Sequence, residues 1–416
     1  MAQISMKISS KLVVAAAALA TSLLFVGAAA MGADKPQNSA KLAKPLKEAH
    51  DDLNAKKYPE AIAKLKEADG IAGKTPYDQH LINDMLAFAY IRTNNYADAA
   101  RALEAEIEDG FTPPSEQQQK IRALSALNYQ LKNYDKAIEF GQRALKGGFG
   151  EEETKKIVGQ AYYLKGDWKD TLKFEEGLVD AAIKSGANPS SESLQLVLSA
   201  CVKMEDPGCQ TKALEKLVAY YPKPEYWQNL LFGLMKETAS SDANTLQTFR
   251  LMNEVDVLKS PDDFIEMAQL AMDAGSPGEA QRALQRGFDK NVFADQRSKE
   301  KAQRLLEKAK QKSAGDQPTL EKIAKEADAA ATGTKNNAMG VAYLGYGQYD
   351  KSVDQFTKAV SKGGLKNPAE SQLDLGIAQL KAGHKEDAVK AFKAVKGEPI
   401  LERLSSLWVL HARQAQ

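Results

Sequence analysis

Apolar and polar positions along this chain alternate with the period of a helix, and the helices come in pairs. The clearest pair occupies residues 340–359, GVAYLGYGQYDKSVDQFTKA. Gly340 and Tyr343 stand three apart on a first helix, Gly347 and Gln348 make a turn, and Tyr349 opens a second helix. On that second helix Ser352, Phe356 and Ala359 recur at i, i+4 and i+7, which is one face at 3.6 residues per turn. No stretch carries the two-residue alternation of a half-buried strand, so the pattern predicts an all-α chain.

The same grammar recurs. Turn aromatics stand at Tyr58, Tyr96, Tyr134, Trp168 and Tyr349, the first four separated by 38, 38 and 34 residues. Three residues after each comes Ala61, Ala99, Ala137, Thr171 or Ser352, and Ala388 holds that place in the last unit. Twelve residues before the last five of these lie Ala87, Ser125, Gly159, Gly340 and Gly376. Two antiparallel helices need small residues where their backbones approach most closely, so these positions are expected to face each other across each hairpin. Gly110, Gly147-Gly148, Gly287 and Gly363-Gly364 read as left-handed helix stops, each followed by an apolar residue that can fold back.

The middle of the chain is more degenerate. Ala213 and Ala280 fit the small second-helix position about two periods apart. One unit is therefore expected between them, with residues 226–235 as first helix and a second helix starting near Asp242 that carries Leu246, Phe249 and Met252. A further unit is expected from residues 297–312 and 319–331, separated by Ala314-Gly315-Asp316-Gln317-Pro318. About ten hairpins result, and residues 401–413 form a terminal helix able to close the last apolar face.

Repeats of 34 to 38 residues with this content resemble the tetratricopeptide repeat, carried most clearly by Leu86-Ala87, Tyr90, Tyr96, Ala99 and Leu103, by Gly340 to Ala359, and by Leu375-Gly376, Ala388 and Phe392. The resemblance implies a right-handed α-solenoid with a C-terminal capping helix that acts by binding protein. A narrower likeness covers residues 200–411. Segments 220–227, 264–270, 345–350 and 362–365 resemble a group of exported proteobacterial repeat proteins, some associated with TonB–ExbB–ExbD systems. That likeness implies compartment and fold more than a transport role, which would be accessory.

The expected organisation is a signal peptide (1–30), a polar linker (31–40), N-terminal repeats (41–189), degenerate repeats (190–332), C-terminal repeats (333–397) and the capping helix (398–416). Lys7 and Lys11, an apolar run at 12–26 and small residues at 27–33 carry the signal, with cleavage after Ala30 and a periplasmic destination. The alternative is an uncleaved N-terminal anchor facing the periplasm. In an oxidising compartment Cys201 and Cys209, flanking a turn, form a candidate disulfide. Lys and Arg total 56 against 55 Asp and Glu, so no global field draws nucleic acid.

Enzymatic chemistry finds no foothold. Residues 68–75, ADGIAGKT, lack the first glycine of a phosphate loop and follow a helix where a strand is needed. His50, His80, His384 and His411 fall in separate units, and the two cysteines complete no metal cluster. The expectation is no catalytic residue, metal, cofactor or small-molecule substrate. Residues 297–312 hold seven Lys or Arg against two Glu, with Ala302, Leu305, Leu306 and Ala309 on one face, an amphipathic basic helix.

Function in such an array is expected on the groove lined by first helices. Helical phase turns Asp84, Phe88, Ile91 and Arg92 outward, then Arg122, Tyr129 and Gln130, then Lys156, Gln160 and Tyr163. This mixture of Arg, Tyr, Phe and Gln suits an extended peptide or a partner helix. It lacks the repeated Lys and Asn of clamps for a chaperone's terminal carboxylate. A protein-binding scaffold, with TonB-type components among its candidate partners, is therefore expected. Its alternatives are a self-associating envelope organiser and a repeat-scaffolded hydrolase.

Overall fold

In a computed structural model of the chain, residues 38–149 and 152–414 are described; among them only helices and short connections occur. The expected signal peptide and its cleavage site lie outside the described residues. No described helix is long and apolar enough to cross a membrane. The chain divides into two compact units, one ending at Asp206 and the other beginning at Pro207.

The first unit contains α1 (Ala40–Asn54), α2 (Tyr58–Asp69), α3 (Pro76–Arg92), α4 (Tyr96–Glu108), α5 (Pro114–Gln130), α6 (Tyr134–Lys146), α7 (Glu152–Lys165), α8 (Trp168–Lys184) and α9 (Ser191–Lys203). Each helix packs on the next in chain order. The turn inside the hairpins is one conformation used repeatedly. Lys56, Asn94, Lys132 and Gly166 take φ of 59°, 58°, 61° and 85°, the left-handed region. The following N–H then reaches back five residues, as from Asn95 to the Tyr90 carbonyl (2.8 Å) and from Asn133 to that of Asn128 (2.8 Å). That bond stops the first helix, and Tyr58, Tyr96, Tyr134 and Trp168 are the first residues of the second. Left-handed backbone costs a non-glycine residue about 1–3 kcal/mol, so Lys56, Asn94 and Lys132 hold it only because the packed hairpin requires it.

The small residues meet as their spacing predicts. Ala87, Ala99, Ser125, Ala137 and Thr171 are all at most 2 % exposed. The Ser125 hydroxyl donates to the Ala137 carbonyl across the hairpin at 2.8 Å. The Ser352 hydroxyl repeats this on the Gly340 carbonyl, also at 2.8 Å. A Cβ at Gly340 would lie 2.7 Å from the Phe356 ring, and one at Gly376 would lie 2.5 Å from the Phe392 ring. Glycine thus seats the large side chain sixteen residues later, and burying each ring stabilises by about 1.5–3 kcal/mol.

The second unit contains α10 (Pro207–Tyr220), α11 (Pro224–Thr238), α12 (Asp242–Glu254), α13 (Pro261–Asp273), α14 (Pro277–Asp289), α15 (Gln296–Asp316), α16 (Leu320–Asp328), α17 (Thr334–Gly345), α18 (Tyr349–Lys362), α19 (Pro368–Lys381), α20 (Lys385–Lys393) and α21 (Pro399–Gln414). The unit expected to hide between Ala213 and Ala280 is α11 and α12, with Leu246, Phe249 and Met252 buried.

Three details depart from the sequence expectations. The break expected at 314–318 is absent: α15 runs to Asp316 and passes through a 3₁₀ turn at Gln317–Thr319 into α16. The two then pack on different neighbours, α15 on α13 and α14, α16 on α17. Gly287 is no helix stop. It lies inside α14, where a Cβ would sit 2.8 Å from the Phe293 ring, and Asn291 (φ 56°) takes the left-handed position instead. The terminal helix α21 covers α19 and α20 but also packs on α10 and α12, so it joins the last hairpin of this unit to its first helices. Gln414 donates to the Val218 carbonyl at 2.6 Å, and Arg403 pairs with Glu237 at 2.9 Å. Cys201 and Cys209 are both disulfide-bonded.

Candidate functional site

The expected groove residues lie on three first helices of the N-terminal unit: Asp84, Phe88 and Arg92 on α3, Arg122 and Tyr129 on α5, Lys156, Gln160 and Tyr163 on α7. The start of α3 is fixed by a capping box between Thr75 and Asp78. The Asp78 carboxylate also takes the backbone N–H of Ser39 at 2.9 Å, tying the entering chain to this face.

Most of these side chains are spent on contacts between successive first helices. Asp84 accepts from Lys120 of α5 at 2.8 Å, and Lys120, 7 % exposed, also pairs with the fully buried Glu106. The Tyr129 hydroxyl donates to Gln160 Oε1 at 2.6 Å, and Gln160 Nε2 donates on to the Glu192 carboxylate of α9. Lys156 closes the group with an ion pair to Glu192 at 3.0 Å. Burial, with the Glu192 charge nearby, pushes the Tyr129 phenol up to about 12, so it stays a hydrogen-bond donor at physiological pH. Phe88 meets Tyr58 edge-on at 6.2 Å, and the Arg92 guanidinium lies over the Phe88 ring at 5.0 Å. Tyr163 packs edge-on against Trp168 at 5.0 Å, at the end of its hairpin.

The outward orientation expected for Ile91 and Gln160 does not hold. Ile91 is 8 % exposed and belongs to the core of the first unit, while Gln160 is 2 % exposed beneath Tyr129 and Glu192. Phase on an isolated helix places both at the edge of the apolar stripe; the neighbouring repeat covers them. Arg92 and Gln130 are exposed, and Asp84, Arg122, Tyr129, Lys156 and Tyr163 are half-buried.

Sequence reasoning passed over Glu175. It stands sixteen residues after Gly159, the place that Phe356 holds after Gly340, and a Cβ at Gly159 would overlap its carboxylate. Glu175 is 1 % exposed, and burial, with Glu192 opposing its charge against a bond from Ser193, pushes its carboxyl up to about 7. Its offset from Gly159 was readable; its charge made it look like surface.

The second unit holds a buried ion cluster that no local pattern announced. Arg250 of α12 makes a fork to Glu279 of α14, both bonds 2.8 Å, and reaches Asp374 of α19 at 2.9 Å. Gln247 adds a bond to Asp374 at 2.8 Å. Burial pushes the Asp374 carboxyl up to about 7 even beside Arg250, while Arg250 outweighs burial at Glu279 and holds that carboxyl low. Burial also opposes charge on Glu254, but His411 and Lys381 hold it at about 2. Between α12, α14, α19 and α21 lies a cleft of about 370 Å³ lined by Arg250, Glu254, Lys381 and Trp408 among others. On α15 the apolar face is buried as expected through Ala302, Leu306 and Ala309, and Arg297, Lys301, Arg304, Lys308 and Lys312 are exposed.

The family model of the tetratricopeptide repeat matches residues 85–150 and 337–399. No curated protein matches this sequence. Among solved structures, the chain is similar to the TPR2AB domain of yeast Sti1 in its pHSP90 complex, at 14 % identity over 72 % of this chain and 95 % of that one, with a TM-score of 0.25. It is similar to the TPR domain of P58(IPK) at 11 % identity over 91 % of this chain and all of that one, with a TM-score of 0.24. For the maize pentatricopeptide repeat protein PPR10 the values are 16 % identity, 86 % of this chain, 54 % of that one and a TM-score of 0.30. Among the described residues each unit is built of helical hairpins, and residues 85–150 and 337–399 match the tetratricopeptide repeat, a unit that serves as a scaffold for protein contacts.

Proposed function

We propose that this protein is an exported scaffold that holds a protein or peptide partner on the first-helix face of its N-terminal unit and performs no catalysis. The observation that carries this reading is the ladder of bonds joining successive first helices, Asp84 to Lys120, Tyr129 to Gln160, and Gln160 and Lys156 to Glu192. A face ordered before binding loses little side-chain freedom when a partner arrives. Arg92 over Phe88 and Tyr163 against Trp168 offer Arg and aromatic surface, the residue types that dominate interface energetics.

Export rests on the charged, apolar and small-residue sequence at the N-terminus and is supported by the disulfide-bonded cysteines, which suit an oxidising periplasm. The narrower sequence likeness directs the search for a partner to TonB–ExbB–ExbD components, with this protein in an accessory role. The test is calorimetric titration of the mature protein with the soluble periplasmic parts of TonB and ExbD. Saturable binding that Arg122→Glu and Lys156→Glu weaken, with helicity unchanged, supports the reading. Absence of binding by both components removes the TonB role, and binding unaffected by both charge reversals removes the groove assignment.

A further inference from the structure

Helix α15 carries seven Lys or Arg against three acids, Glu300, Glu307 and Asp316, in a chain whose net charge is +1. Its apolar side is taken up by the fold: Ala302, Leu306, Ala309 and Ser313 are buried where the helix packs on α13 and α14. Its solvent side carries Arg297, Lys301, Arg304, Lys308 and Lys312, all exposed. At about 100° and 1.5 Å per residue, these five fall within an arc of about 80° and form a row about 22 Å long. Glu300 and Glu307 lie off the row, roughly 80–100° from its middle. Asp316 accepts from the Tyr346 hydroxyl at 3.1 Å.

None of the five cations has a side-chain partner among the described residues. Elsewhere a cation is commonly answered by an acid about one repeat earlier, as Lys136 by Glu104 (2.8 Å), Arg286 by Asp256 (2.6 Å) and Lys358 by Asp328 (2.7 Å). The row is also unfavourable to the helix that carries it, because 297 and 301, 304 and 308, and 308 and 312 are like charges four residues apart. Anions from outside the molecule relieve that repulsion.

The rest of the helix decides what kind of anion. No aromatic side chain occurs on α15, so none is there to stack a nucleic-acid base or to anchor a protein hot spot. Three of the five cations are Lys, a residue depleted at protein interfaces. A straight row of unpaired cations suits a plane of fixed negative charges, to which each Lys or Arg adds its own attraction. We propose that the row at residues 297–312 docks the second unit on an anionic lipid surface, with the cations against phosphate head groups and no insertion of the helix. This surface belongs to a different unit from the first-helix face of α3, α5 and α7 and does not depend on what that face binds.

Cosedimentation of the mature protein with lipid vesicles tests the proposal. Vesicles of phosphatidylcholine with one third phosphatidylglycerol should bind the protein at an ionic strength of about 0.1 M, and pure phosphatidylcholine vesicles should not. Raising the ionic strength to about 1 M shortens the screening length from about 10 Å to about 3 Å and should release it. The triple variant Lys301→Gln, Arg304→Gln, Lys308→Gln should bind roughly a hundredfold more weakly, about fivefold for each charge removed. A second triple variant, Lys236→Gln, Lys366→Gln, Lys393→Gln, changes the net charge equally at exposed positions off the row and should bind nearly as the parent does. Equal loss in the two triple variants, equal binding to charged and uncharged vesicles, or no binding to anionic vesicles at low salt overturns the proposal. So does a row that binds polyglutamate and ignores vesicles, a result that would assign it to an acidic protein.

Discussion

Glu175 fills with a carboxylate the space left by the absent Cβ of Gly159, the place where Gly340 seats Phe356 and Gly376 seats Phe392. One hairpin of the first unit therefore has an ionisable group where others have an aromatic ring, enclosed between α7, α8 and α9 with Glu192 and Ser193 beside it.

A pH dependence follows. The Glu175 carboxyl is raised by burial from 4.5 to about 7, so the folded state holds its proton more tightly than the unfolded state does. This group's contribution to stability is complete below pH 4.5 and is lost as pH rises towards 7. The loss amounts to about 3 kcal/mol. Glu175→Gln should match the parent near pH 4 and exceed it by about that amount at pH 8. Urea unfolding followed by Trp168 fluorescence measures this, and equal stability at both pH values would show that Glu175 is solvated.

Glycines in this chain have opposite roles according to what a Cβ would meet. Gly340→Ala places a methyl group 2.7 Å from the Phe356 ring and should cost about 1–3 kcal/mol. Gly233, inside α11, has nothing within 4 Å of a Cβ, so Gly233→Ala should stabilise by roughly 0.5–1 kcal/mol. Thermal unfolding of the two variants checks both signs. A neutral Gly340→Ala would mean that Gly340 is not the contact point of its hairpin.

Arg250 holds two carboxylates that lie 29 and 124 residues away. Arg250→Met leaves Glu279 and Asp374 buried without their partner and should cost about 3–5 kcal/mol. Adding Glu279→Gln and Asp374→Asn should recover part of that loss, because the uncompensated charge is gone. Chemical unfolding followed at Trp227 and Trp408, both in this unit, reports the result. No recovery in the triple variant would place the cost in packing.

The hairpins were legible because their signals are local. A left-handed residue, an aromatic two positions later and a small residue three beyond that recur within one turn and one helix, and each has its own steric cause. Even α11 and α12, with weak consensus, were located by counting from Ala213 to Ala280. Closure of the second unit was not legible, because Gln414 meets Val218 across 196 residues and such pairing leaves no period in the sequence. The candidate face was legible only in part. Arg92 is exposed as phase implies, but Gln160 and Ile91 are covered by neighbours, a tertiary effect that no single-helix projection contains.

The most direct measurement is site-specific photo-crosslinking in cells from Arg92 and Gln130, exposed on first helices α3 and α5, compared with Arg101 and Glu139, exposed on second helices α4 and α6. The first-helix positions should capture one defined protein, which the purified chain then binds and the Lys156→Glu variant binds more weakly. Capture of that protein from Arg101 and Glu139 instead, with none from Arg92 or Gln130, would contradict the assignment of the binding face.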